Sequence, residues 1–165
     1  MIKLQQNGET LHGETGAMRI SNTIEIKATP AKVFYWLGDP TRAREWMTSV
    51  SHTEIIEKTS DWIGTTFRET VEEDGRGTEL RGVVTDFVAN KRMAFHLEGE
   101  FNTVDVVWTL RDKGQITEVS QVAEVRFKGL MRVLSIVLGP SFRKKINAQG
   151  EREFARLKEL CERGR

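Results

Sequence analysis

Hydrophobic and polar residues alternate along much of this chain with the period of two that marks strands. Between Arg19 and Ala28 the apolar residues Ile20, Ile24 and Ile26 are separated by polar ones, as in a strand with one buried face. Six more segments follow the same rule, at about Ser51–Lys58, Thr65–Glu73, Thr78–Val88, Lys91–Glu98, Asn102–Arg111 and Ile116–Phe127. The pattern predicts seven strands.

Short turns separate the last six strands. Their sequences include Gly64, Asp74–Gly77, Asn90, Gly99 and Asp112–Gly114, and connections this short favour antiparallel neighbours. We therefore expect a meander with one apolar and one polar face.

Helical signals occur in two places. Thr29-Pro30 and Asp39-Pro40 are start signals for two short helices, the first ending at Gly38 and the second at about Trp46. After the last strand an apolar stretch, Gly129–Leu138, precedes Gly139-Pro140, which we expect to break or kink the helix. An amphipathic helix then runs from Ser141 to about Glu162, with its apolar side formed by Phe142, Ile146, Gly150, Phe154, Leu157 and Cys161 and its polar side by residues that include Glu153.

This order of elements predicts an α+β fold in which a curved seven-stranded antiparallel sheet wraps around one long C-terminal helix. Such an arrangement tends to leave a hollow between sheet and helix. The 165 residues suit one domain, residues 18–165, preceded by a flexible arm or loose edge strand over residues 1–17.

Composition removes several classes of partner. With 25 basic and 24 acidic residues the net charge is +1, so nucleic acid is not an expected partner. No segment reaches the roughly 18 apolar residues that span a bilayer, so stable membrane insertion is not expected either. The single cysteine, Cys161, fits a reducing compartment, and cytoplasm is the default location. A homodimer is one option for assembly.

Residue spacing offers little support for metal or nucleotide chemistry. His12, His52 and His96 are too scattered to form a metal pair, and Gly75-Arg76-Gly77 has no third glycine where a dinucleotide loop needs one. We therefore expect neither a metal nor a cofactor.

Two polar residues interrupt apolar strand faces. Glu69 shares a face with Phe67, and Gln121 shares one with Val119 and Ala123. Inward-facing positions would bring both into the hollow, where Glu69 is the one candidate for acid–base catalysis and both could orient a ligand. The alternatives are a bulge that reverses the strand face, or pairing of Glu69 with Arg68 or Arg81.

Several apolar residues could also line a pocket, although any core would need the same residue types. The stretch Leu130–Leu138 is apolar around most of a helix, which fits a mobile lid, a buried element or an interface with a partner or bilayer. Gly150 within a helix suggests either close packing or room for a ligand. The full set of predicted ligand-binding residues is Trp46, Phe67, Glu69, Phe95, Val106, Trp108, Gln121, Met131, Leu134 and Gly150.

The stretch Ile24–Phe34, followed by Leu37–Pro40 and Trp46-Met47, resembles the opening of START-like (SRPBCC) helix-grip domains, particularly the bacterial polyketide cyclase/dehydrase and lipid-transport group. Later segments resemble the same group's strands and its entry into the last helix: Gly64–Phe67, Asn90–Phe95, Val107–Leu110 and Phe127–Met131. The resemblance covers about Ile20 to Cys161 and implies a cavity for hydrophobic small molecules.

Three functions follow as expectations. The first is non-covalent binding, transport or sequestration of a hydrophobic or amphipathic small molecule. The second, implied by the resemblance, is a cyclase or dehydratase in which Glu69 moves a proton. The third is an interaction module that presents Leu130–Leu138 to a partner.

Overall fold

A computed structural model shows a curved antiparallel sheet with α-helices on its inner side. The structure describes residues 17–73 and 75–163, and their side chains except at positions 73, 135–139 and 142. Residues 1–16 of the predicted arm lie outside the described residues, and Ala17 begins the first strand.

All seven predicted strands are confirmed, with ends shifted by two residues or fewer. They are β1 Ala17–Ile26, β2 Val50–Glu57, β3 Thr66–Glu73, β4 Arg76–Val88, β5 Arg92–Glu98, β6 Asn102–Asp112 and β7 Thr117–Phe127. The strands follow one another from β2 to β7 across the sheet, and β1 pairs with β7, in the order β1-β7-β6-β5-β4-β3-β2. Every pairing is antiparallel.

The two short helices form at the predicted signals. Helix α1 spans Pro30–Leu37, and the Thr29 hydroxyl accepts a hydrogen bond from the Lys32 backbone N–H. A 3₁₀ turn over Pro40–Arg42 then leads into α2, Ala43–Trp46. A helix of one turn is not stable alone in water, and Trp46 anchors this one because its side chain is buried in the core.

The long helix α3 runs from Gly129 to Glu162 without interruption. Of the two predicted effects of Gly139-Pro140, the break is therefore wrong, and the kink stays a prediction.

Burial differs between the two ends of α3. Near its C-terminus Phe154, Leu157 and Cys161 are buried against the sheet and α1. Near its N-terminus Leu130 is 83% exposed and Val133 60%. The inner sheet face at that end is only partly covered, because its apolar residues Ile20, Phe95, Leu97 and Val104 are half-buried.

Gly82 on β4 provides a test of the sheet packing. It pairs with Phe67 on β3, and a Cβ at Gly82 would lie 2.2 Å from Cζ of the Phe67 ring. The ring also packs edge-on against Phe95, with centroids 5.6 Å apart. We therefore predict that Gly82→Ala displaces Phe67 and lowers the free energy of unfolding in urea by about 1–3 kcal/mol.

The matched control is Gly77→Ala on the same strand, where the added Cβ would meet Thr70 at an ordinary 3.5 Å. Equal free energies of unfolding for the two variants would show that the position of the Phe67 ring does not require glycine at position 82.

Candidate functional site

A cavity of about 80 Å³ lies between the inner face of the sheet and the two short helices. The sheet contributes Phe67, Glu69, Phe95, Leu97, Val106, Trp108 and Gln121, and the helical segment contributes Trp36, Leu37, Asp39, Pro40, Ala43, Trp46 and Met47. The sequence placed the pocket against the C-terminal helix, whereas the described lining includes no residue of α3. Phe154 of α3 instead stacks on the ring of Trp108, a lining residue, with ring centroids 5.5 Å apart.

The size of the cavity limits what it can hold at rest. At roughly 30 Å³ for each water molecule, a volume of about 80 Å³ matches a few waters or a small fragment. Pockets for drug-sized ligands measure roughly 300–1,000 Å³. The hollow is thus much smaller than a lipid-sized ligand requires.

Seven of the ten predicted ligand-binding residues meet at this cavity: Trp46, Phe67, Glu69, Phe95, Val106, Trp108 and Gln121. The described lining does not include Met131, Leu134 or Gly150. Met131 is half-buried and Leu134 is 43% exposed. A Cβ at Gly150 would meet the Asn22 side chain at an ordinary 3.6 Å, so close packing does not require glycine there. Ligand contact stays a prediction for all ten residues.

Glu69 is the buried carboxyl of the cavity. It is 7% exposed, and among the described residues it has no hydrogen-bond or ion-pair partner. Neither alternative placement of Glu69 is found, because the β3–β4 register is unbroken and both candidate arginines, Arg68 and Arg81, lie near Glu79, at 3.7 and 4.0 Å.

A second buried carboxyl, Glu153 on α3, was missed by the sequence analysis, which placed it on the polar side of the helix. It is 6% exposed, and its Oε1 accepts hydrogen bonds from the Ser49 backbone N–H at 3.3 Å, the Ser49 hydroxyl at 3.0 Å, the Thr48 hydroxyl at 3.4 Å and Gln149 Nε2 at 3.1 Å. The available signal was its position three residues after Gly150 and four before Leu157, on the apolar side of the helix.

The environment of Glu69 raises the pKa of its carboxyl toward neutral pH. Burial raises the pKa of Glu69 from 4.5 to about 7, and the negative charge of Glu153 acts in the same direction. Glu153 Oε1 accepts hydrogen bonds from four donors, whereas Glu69 has no hydrogen-bond partner among the described residues. A carboxyl that titrates near pH 7 can donate or accept a proton under physiological conditions.

Two more polar groups beside Glu69 lack partners among the described residues. The Trp46 side chain lines the cavity, and its Nε1 is buried without a hydrogen bond. The Thr53 hydroxyl is also unpaired, and Thr53 lies directly across the β2–β3 pairing from Glu69. Gln121 is different, since its Oε1 accepts a hydrogen bond from Asn22 Nδ2 at 3.3 Å. Each orphan group costs about 1–3 kcal/mol when water is excluded.

The start of α3 carries exposed apolar side chains. Leu130, Val133 and Leu134 are exposed, and so is Phe101 in the turn whose carbonyl accepts from the Lys128 N–H. These exposures contradict full burial of the N-terminal part of the segment. The side chains of Val137 and Leu138 lie outside the described residues.

The described part of the chain contains neither a metal-ligand cluster nor a membrane-spanning helix. There, no three His, Cys, Asp or Glu side chains cluster in a way that could hold a metal ion. Within residues 17–73 and 75–163, no helix is long and apolar enough to cross a membrane.

Comparison with known proteins gives one family and many similar folds. Residues 17–162 match the family described as polyketide cyclase / dehydrase and lipid transport. No curated protein matches the sequence. Solved structures share the fold at low identity, so they show the architecture alone.

Three of these structures illustrate the range of similar proteins. TTHA0849 from Thermus thermophilus has a TM-score of 0.74 and 16% identity, with 87% of this chain and 97% of that chain covered. The ZhuI aromatase/cyclase from Streptomyces sp. R1128 has a TM-score of 0.67 and 14% identity, covering 88% and 91%. A START superfamily protein from Mycobacterium smegmatis has a TM-score of 0.63 and 17% identity, covering 83% and 98%.

The raised pKa of Glu69 predicts a specific pH dependence of stability. Between pH 4.5 and about 7 the folded protein binds more protons than the unfolded chain, so stability falls as pH rises through this window. The full shift corresponds to about 3 kcal/mol. Glu69→Leu removes this cost, so its stability gain over wild type in urea unfolding should grow from pH 5 to pH 8.

The control is Glu54→Leu, which removes an exposed carboxyl from β2. A stability difference between wild type and Glu69→Leu that stays constant across this pH range would contradict the proposed environment of Glu69.

Proposed function

This chain belongs to the polyketide cyclase/dehydrase and lipid transport family, and from that membership we propose that it binds a hydrophobic or amphipathic small molecule non-covalently beside Glu69. The observation that carries the proposal is an aromatic cavity in which Glu69 and Trp46 Nε1 are both buried without partners among the described residues. A packed core rarely leaves two such groups unpaired. A ligand with polar atoms would supply the missing hydrogen bonds.

The resting cavity must widen to accept a ligand larger than a fragment. The cavity can widen toward the half-covered sheet face. Leu97 lines the cavity and pairs with Val104 on the neighbouring strand, and Val104 is only partly buried. An apolar chain lying over Leu97 and Val104 would remove their exposed surface from water, at about 25 cal/mol for each Å² covered. The ligand thus places its polar end at Glu69 and its apolar part along this face.

A cyclase or dehydratase is the second candidate, favoured by the pKa of Glu69 near 7. In that function a protonated Glu69 donates to an oxygen of the substrate, or the carboxylate removes a proton from carbon. Burial first, and the charge of Glu153 second, raise the pKa of Glu69, and Glu153 itself is not part of the cavity lining.

If the ligand binds in this cavity, a large side chain placed there should lower the affinity for the ligand. Val106 lines the cavity and Val107, its neighbour on β6, lies on the opposite face of the strand. We predict that Val106→Trp weakens binding of the neutral fluorescent probe N-phenyl-1-naphthylamine by about tenfold or more, while the matched control Val107→Trp binds as wild type does.

Circular dichroism would establish that both variants fold. If Val106→Trp does not fold, Leu97→Trp is the replacement variant, because Leu97 lines the same cavity from the adjacent strand β5. Unchanged probe affinity in a folded, cavity-filled variant would place the ligand elsewhere.

Catalysis predicts a different response at Glu69. If the protein is an enzyme, wild type should convert a poly-β-ketone substrate, and Glu69→Gln should lower kcat by roughly 10²–10⁴-fold while KM changes little. Binding alone predicts no turnover by wild type, together with a small change in the affinity of Glu69→Gln for this uncharged substrate. Product formation followed by liquid chromatography separates the two candidates.

A further inference from the structure

We propose that the cavity selects its ligand by charge and that the ligand is an amphipathic amine, whose ammonium group lies beside Glu69 among the aromatic rings. This inference rests on the proposed binding function and adds the chemical class of the ligand.

The first support is the set of charges around the cavity. Glu69 from β3 is buried there, and the charge that acts on its pKa is the carboxylate of Glu153 on α3. Among the described residues, no lysine or arginine forms an ion pair with either. Asp39 also lines the cavity, but Arg42 lies 3.8 Å from its carboxylate. Within the described lining, Glu69 is therefore the carboxyl that lacks a cation.

The second support is the aromatic lining. Trp46 and Trp108 pack edge-on with centroids 5.6 Å apart, and Phe67 and Phe95 do the same at 5.6 Å. The faces of aromatic rings carry partial negative charge, so they attract ammonium groups, most strongly where water is excluded. Carboxylate and rings thus favour the same kind of ligand.

Other ligand charges fit less well. A carboxylate or phosphate headgroup would lie against Glu69, with the negative charge of Glu153 nearby and no compensating cation paired with either glutamate among the described residues, which is costly in a desolvated site. A neutral alcohol can donate to Glu69 and accept from Trp46 Nε1, whereas an ammonium only donates and leaves the Trp46 N–H unpaired. The alcohol gains neither the ion pair nor the cation–π attraction, and these two contributions outweigh the one hydrogen bond that the alcohol adds. The volume of about 80 Å³ suits a compact headgroup, with the alkyl part lying along Leu97 and Val104.

The titratable groups that line the cavity around the ammonium are Glu69 on β3 and Asp39 before α2. Glu153 on α3 lies outside this lining and acts on Glu69 through its charge. An amine binds the ionised form of Glu69, so its binding should displace a proton near neutral pH. Amine affinity should therefore fall as pH drops below about 7.

The experiment compares three ligands of equal chain length, octylammonium, octanol and octanoate, by calorimetric titration at pH 8. Wild type should bind the amine at least tenfold more tightly than the alcohol, and octanoate most weakly. Glu69→Gln should bring the amine down to the affinity that the same variant has for the alcohol, so that the preference for the amine disappears. The control Glu79→Gln, an exposed carboxyl on β4, should keep the preference.

The outcomes separate this inference from the proposed function. Binding of octanol as tight as that of octylammonium, or an amine preference that persists in Glu69→Gln, would overturn the inference and leave hydrophobic binding intact. Failure of all three ligands to bind would contradict the proposed function, and the inference with it.

Discussion

The desolvated carboxyl of Glu69 is the feature on which the functional account depends. Strand alternation directs it inward beside Phe67, and no arginine in the described part of the chain pairs with it. Arg68 and Arg81 lie near Glu79 on the other face. Glu153 adds a second negative charge while its own carboxylate is held by four donors. The protein keeps a costly group in a cavity where an apolar residue would be more stable, which is common at sites retained for function.

The two ends of the molecule have different packing, and this difference locates the site. Phe154, Leu157 and Cys161 hold the C-terminal part of α3 against the sheet, and Phe154 stacks on Trp108 to fix one wall of the cavity. Toward the N-terminal end of α3, apolar side chains of both helix and sheet remain partly exposed. Regions with little buried apolar contact open at low free-energy cost, so this is the end at which the small cavity can enlarge.

Much of the fold could be predicted because it depends on local signals. Period-two alternation located seven strands, and Thr29-Pro30 located the first helix cap. The seven predicted residues that line the cavity could also be found from local patterns, because six of them lie on strands and Trp46 lies on a short helix that must dock on the core. Glu153 was not, because a glutamate on a helix is usually solvated, and its burial depends on donors from Ser49 and Thr48, which are distant in the sequence. The size of the cavity depends likewise on tertiary packing.

The central claim is that Glu69 lies desolvated and without a partner beside a second carboxyl. The most direct test is an NMR titration that follows the carboxyl carbon of Glu69 in wild-type protein, assigned by its loss in Glu69→Gln. The account predicts a titration midpoint near the pKa of about 7. A midpoint at or below the ordinary value of 4.5 would show that Glu69 is solvated or paired and would contradict the account.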